Sequence, residues 1–437
     1  MPETLLRMEQ SELDRVIDAH VRHLYSMKGG KRALIINYDL SRNSLNNRHL
    51  SEGVFSGCRF RFSSLRGSGL VSAELVGCDF SVANLEGADL TFADLRGAVM
   101  RGAELEAANF SEADLSQKMP DNDDAGTVLS GQDNESPAPT DLSSVKARNS
   151  IFAGARLNDA LLIKGDFSNT DFSNADLQGA DMRECNLTGA GFFGANLSES
   201  NLTGANLQGA FLEQAILTNA NLKNAELRGA TLDDNALTDE QARSALLQRS
   251  PDALGLDLTD ILGRHAQWVF SSGSEGERAN LSGVDLSGMD FTGVNLSAAR
   301  LEGCNFRGTV FRDAVLAHAS FGFSDCRNAV FGNADLRGAD LSYANLSSAD
   351  LVEVDVSSLQ IGTAPVRYWP ANLTRIRAVG ANFTNARLTG AALDGADLTD
   401  ADFTGANLDQ CSVIGAIMIR ANLETASTED LVNPEAN

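Results

Sequence analysis

The sequence predicts an all-β solenoid in two modules, each with a helical cap at its N-terminal side. Three observations predict it. A five-residue pattern of small residue, Asp or Asn, Leu or Phe, polar residue and Gly recurs in phase along most of the 437 residues, as in Ala83-Asn84-Leu85-Glu86-Gly87 and Ala334-Asp335-Leu336-Arg337-Gly338. A period this short means stacked coils with a continuous thin core. Only 6% of residues are aromatic although 43% are hydrophobic, which suits a column of stacked Leu and Phe better than a large globular core. Finally, a helical spacing of apolar residues appears twice, each time just before a repeat run.

Residues 1–34 read as the first cap, with Leu13, Val16, Ile17, His20 and Leu24 on one helix face. Residues 35–117 read as repeat coils, with central apolar residues every five positions from Ile35 to Leu115. The phase then breaks. Residues 118–148 are polar, acidic and Pro-bearing and read as a flexible loop. Residues 149–232 continue the coils in a new phase, through Phe152, Phe167 and Phe192 to Leu232. Residues 233–280 read as a linker and second cap. Thr238 and Gln241 form a capping box for a short helix to about Gln248, Pro251 ends it, and a second helix carries Leu258, Ile261, Leu262, His265 and Val269 on one face. Tyr25-Ser26 matches Phe270-Ser271, and Arg32-Ala33 matches Arg278-Ala279, which argues for a duplicated module. Residues 281–425 are the second set of coils, in phase to Val366 and resuming at Leu373 two residues late. That slip predicts a bulge at Tyr368-Trp369-Pro370. Residues 426–437 read as a tail.

In these motifs the chain resembles the pentapeptide-repeat family. The resemblance covers about 70% of the sequence and implies a right-handed quadrilateral β-helix with four repeats per coil. The central Leu or Phe then points inward, the preceding small residue packs where walls meet, and Asp or Asn bonds turn amides. The helix before each run would cover the open coil end. His20, His265 and Trp268 are assigned to these caps as structural residues.

The net charge is -24 and the pI near 4.5, which disfavours direct binding to nucleic acid or anionic membranes. No apolar leader or membrane-length run is present, so the expected setting is cytoplasmic. Five of the six cysteines occupy the small-residue slot and Cys326 a central slot. They read as reduced packing thiols, although Cys58 and Cys78 stand one coil apart, where a disulfide is conceivable.

Neither an enzyme nor a cofactor is expected. His20 and His23 lack an acidic or cysteine partner at metal-ligand spacing, and no phosphate-binding loop occurs. The expected activity is non-enzymatic scaffolding of a protein partner. Phe323 and Tyr343, one coil apart in the same outward slot, should stack, and Tyr368 and Trp369 should bulge outward nearby; these four are the candidate partner-binding residues. Trp268, at the end of its helix, is expected to pack in the core. Some pentapeptide-repeat proteins imitate duplex DNA and bind type II topoisomerases, and that resemblance supplies the alternative, a DNA-mimicking regulator or protector of a type II topoisomerase or other DNA-binding protein. It requires acid concentrated on one or two faces, whereas most Asp here sits just before a central residue on all four.

Overall fold

The computed structural model describes residues 5–119, 138–233, 235–361 and 367–432. The chain forms two compact units. Unit 1 is Met1–Glu226 with Leu232–Ala245, and unit 2 is Leu227–Thr231 with Leu246–Asn437. Both are solenoids in which parallel bridges join residues 20 apart, as in Leu34↔Val54↔Glu74↔Asp94 and Asn280↔Arg300↔Ser320↔Asp340. Four five-residue repeats therefore complete one coil.

The repeat specifies its own turn. The carbonyl of most central residues accepts from the N–H three positions on, as in Leu45 from Arg48 (3.2 Å) and Leu70 from Ala73 (3.0 Å). The third turn residue has positive φ, 54° at Asn47 and 55° at Ser72, as a type II turn requires. The Asp or Asn before the central residue accepts the amide two residues on, as in Asp89 from Thr91 (3.1 Å) and Asp402 from Thr404 (3.0 Å). Central residues stack coil on coil, with ring centroids 4.8 Å apart for Phe60–Phe80 and for Phe383–Phe403. Each such buried Leu or Phe contributes about 1.5–3 kcal/mol.

Strand β1 (Leu6–Arg7) pairs in parallel with β2 (Tyr38–Asp39), and helix α1 (Gln10–Leu24) lies between them in sequence. Helix α2 (Asp239–Ser244) starts at a capping box in which Thr238 and Gln241 bond each other's amides. It stops before Gln248. Pro251 does not end this helix; it opens a further one, α3 (Pro251–Leu254), capped by Ser250. Proline suits a first helical turn because its missing N–H would have no partner there. Helix α4 (Leu258–Phe270) follows.

Three boundaries differ from the sequence reading. The coil resumes near Thr140, well before residue 149: Val99 bridges Asp141, 42 residues on, and Leu142 and Ala147 fill central core slots. Thr140 fixes this return, because its hydroxyl accepts from Gly97 N–H (2.9 Å) and donates to the Ser116 carbonyl (2.9 Å). The acidic stretch 120–137 lies outside the described residues. In unit 2 the coil leaves its phase after Val356, and the next bridges join residues 32 apart, Asp340 to Asn372. The departure is therefore longer than a two-residue bulge. It carries the antiparallel strands β3 (Leu359–Ile361) and β4 (Arg367–Trp369); Val366 lies outside the described residues. Lastly, Ser412 bridges Val432, so coil pairing runs past residue 425.

All six cysteines are free and buried. Cys58 and Cys78 each donate to a carbonyl in the preceding coil, that of Ile35 (3.2 Å) and of Phe55 (2.9 Å). Thr170 makes the same bond to Ala147 (2.7 Å), so the thiol acts as a small donor at a wall junction. Burial pushes the Cys58 thiol up to about 11, where it is un-ionised and unreactive at neutral pH.

Candidate functional site

The four candidate aromatics of unit 2 gather at two successive corners. Phe323 and Tyr343 occupy the third turn position in consecutive coils, with φ of 59° and 60°. Their rings stack at 4.9 Å and 9°. Both are half-buried. The Leu227–Thr231 segment lies against this corner, since a Cβ on Gly229 would meet the Phe323 carbonyl oxygen.

One repeat earlier, His318 holds the preceding corner, and Trp369 of β4 tilts over its ring at 5.1 Å and 46°. Gly338 provides the seat. It stands one coil beyond His318, and a Cβ there would come within 2.9 Å of Leu359 Cβ and 3.3 Å of Trp369 Cδ1. Both strands thus rest on a corner that has no side chain. Side chains alternate along a strand, so Tyr368 faces away from Trp369. Tyr368 is 67% exposed and Trp369 54%. The structure stacks Phe323 with Tyr343 and joins Trp369 to His318. Sequence reasoning missed His318 in this role, although its position 20 residues before a corner glycine and five before Phe323 was available.

The helix residues form a second set. His20 is buried; its Nδ1 accepts from Ala33 N–H (3.1 Å), which leaves the proton on Nε2, donated to the Ser51 carbonyl (3.0 Å). His265 repeats the first bond to Ala279 N–H (3.1 Å), while its buried Nε2 has no partner. Burial lowers both imidazole pKa values, helped at His265 by Arg278. Trp268 is half-buried rather than in the core and stacks on His265 at 5.7 Å. His23 takes the equivalent place over His20 at 6.3 Å. Grooves run beside both helices, but Arg15 and Lys31 line one and Arg264 and Glu277 the other, not the histidines. Among the described residues no group of three or more His, Cys, Asp or Glu is placed to hold a metal. No described helix is long and apolar enough to cross a membrane.

The pentapeptide-repeats family pattern matches residues 45–81, 83–117, 140–189, 195–234, 272–297, 295–325, 319–357, 371–405 and 396–427. The chain belongs to the pentapeptide-repeat family. Similar solved structures include HetL, a pentapeptide-repeat protein involved in heterocyst differentiation regulation from the cyanobacterium Nostoc sp. strain PCC 7120, at 18% identity over 96% of this chain and 94% of that one, TM-score 0.21. Rfr23 from the cyanobacterium Cyanothece 51142 matches at 27% over 31% and 87%, TM-score 0.24. QnrB1, a plasmid-mediated fluoroquinolone resistance protein, matches at 17% over 52% and 99%, TM-score 0.29. At these TM-scores none of them carries an argument about this chain, and no curated protein sequence matches it. Membership of the pentapeptide-repeat family rests on the repeat itself.

Proposed function

We propose that this pentapeptide-repeat protein is a non-enzymatic cytoplasmic scaffold that docks a protein partner on the unit 2 aromatics Phe323, Tyr343, Tyr368 and Trp369. The exposure of Tyr368 and Trp369 on strands outside the coil carries the reading. Large rings held by a rigid support are effective anchors, because little conformational entropy is lost on docking. The free thiols accord with a reducing compartment.

The alternative, a DNA-like surface directed at a topoisomerase, draws on the net charge of -24. It has less support, because the carboxylates are used locally. Asp94, Asp181 and Asp335 each pair with an Arg two residues on, at 2.7, 2.6 and 2.7 Å. Burial alone would raise the Asp335 pKa, but Arg337 outweighs it and holds the carboxyl below its usual range.

Affinity purification from the native cell with mass spectrometry tests the scaffold reading. Tyr368→Ala with Trp369→Ala is expected to lose the captured partner with no fall in Tm. An identical captured set would remove this site.

A further inference from the structure

Charge is uneven along this acidic chain. Residues 1–66 hold eleven Lys and Arg against seven Asp and Glu, a net +4, whereas the remainder holds 24 against 52, a net -28. Arg42 and Phe62, within the basic stretch, and Val82, beyond it, occupy the same corner of unit 1 in successive coils, with φ of 64°, 58° and 58°. The left-handed region costs a residue with a Cβ about 1–2 kcal/mol and is an outlier for bulky or β-branched side chains. Many other corners carry Gly or Asn, which adopt it readily. Phe62 is 54% exposed and Val82 51%, so burial within the unit does little to offset the strain. A strained and exposed side chain points to a use outside the fold.

The charges around this strip are arranged about its ring. Arg42 Cζ lies 5.7 Å and Arg61 Cζ 6.0 Å from the Phe62 centroid. Arg61 reaches a carboxylate only at 3.8 Å, that of Asp79, and Arg42 has no ion pair among the described residues. Two guanidiniums beside an exposed aromatic and an aliphatic side chain match carboxylates set beside an apolar group, because the planar fork binds carboxylate oxygens in pairs. We propose that the Arg42–Phe62–Val82 corner docks a short acidic segment of a partner protein, one in which Asp or Glu flanks an aliphatic or aromatic side chain. A nucleic acid fits less well: a long polyanion would extend over a strongly anionic surface. A short segment stays within about one Debye length, roughly 8–10 Å, of the guanidiniums. This surface shares no residue with the unit 2 aromatics and does not depend on them.

Fluorescence anisotropy with the full chain and a fluorescein-labelled peptide, Asp-Glu-Phe-Asp-Asp-Leu-Glu, tests the proposal. Saturable binding is expected, weakened about tenfold by Phe62→Asn and again by Arg42→Gln with Arg61→Gln. Raising NaCl from about 50 to about 300 mM should also weaken it. Because Asn accepts the left-handed region, Phe62→Asn should keep or raise Tm, which separates lost docking from lost folding. A lower Tm for that variant would overturn the argument from strain. The proposal also fails if no binding is seen up to about 1 mM peptide, or if the variants bind equally well. Stronger competition by a single-stranded thymidine oligonucleotide would make the ligand a nucleic acid. Self-association abolished by Phe62→Asn in sedimentation would make it a second copy of the chain. Either result overturns the acidic-peptide assignment.

Discussion

At the residue scale, the two buried histidines set a pH limit on the fold. Nδ1 of His20 and of His265 accepts from a coil amide, at 3.1 Å in each case. Protonation would turn that acceptor into a donor facing an N–H, and burial further disfavours the charge, so both folded pKa values lie below the usual one. Arg32 and His23 beside His20, and Arg278 beside His265, act in the same direction. The unfolded chain takes up a proton near pH 6.5 while the folded chain resists it. This stabilisation is therefore complete above about pH 6.5 and is lost as pH falls through that value towards the lower folded pKa. Tm is expected to drop between about pH 7.5 and 5.5, a window in which ordinary carboxylates stay ionised. His20→Asn with His265→Asn should flatten that slope even if it lowers Tm overall. Thermal melts across the range check this, and equal slopes in the two proteins would refute it.

At the element scale, the departures from the repeat carry most of the information, and their legibility varied for physical reasons. The turns were readable because Asp or Asn, the central residue and the left-handed corner are fixed by local chemistry. The return of the coil at Leu142 was not, because the next central slot holds Ala147, and alanine gives no periodic signal. Pro251 was misread as a stop because proline both ends and opens helices. The strands β3 and β4 were hidden for another reason: in the sequence, apolar residues at 361 and 366 keep the five-residue spacing, so the pattern does not show where the coil is left. The feature that holds the strands in place is a missing side chain, that of Gly338, and its meaning depends on what lies over it. Gly338→Asn tests that seat, because Asn tolerates the 63° φ while its Cβ would stand 2.9 Å from Leu359 Cβ. In a Trp268→Phe background Trp369 is the sole tryptophan. There, Gly338→Asn should shift the Trp369 emission and raise its quenching by acrylamide, with a loss of stability of about 1–2 kcal/mol or less. Unchanged quenching would mean that the strands do not rest on this corner.

At the scale of the whole molecule, the balance of charge decides how the fold responds to salt. Exposed ion pairs such as Arg66–Glu86 (2.7 Å) and Arg420–Asp400 (2.6 Å) contribute little to stability and weaken as salt is added. Against them stands the mutual repulsion of a net charge of -24, which opposes the compact state and is also screened by salt. Many of the acidic side chains are tied to turn amides rather than to cations, as Asp39 is to Ser41 N–H (3.0 Å). Burial alone would raise the Asp39 pKa, but the bonds from Ser41 outweigh it and hold the carboxyl below its usual range. These short, charge-assisted bonds within a turn depend little on ionic strength. Screening therefore removes more repulsion than attraction. Tm is expected to rise by a few degrees as NaCl goes from about 20 to about 200 mM at pH 7.5, where the Debye length shrinks to less than half. Substituting sodium sulfate at equal ionic strength separates screening from preferential exclusion, because sulfate strengthens burial beyond its effect on charge. A Tm that falls with NaCl would show that ion pairs between coils, rather than turn chemistry, hold this acidic solenoid together.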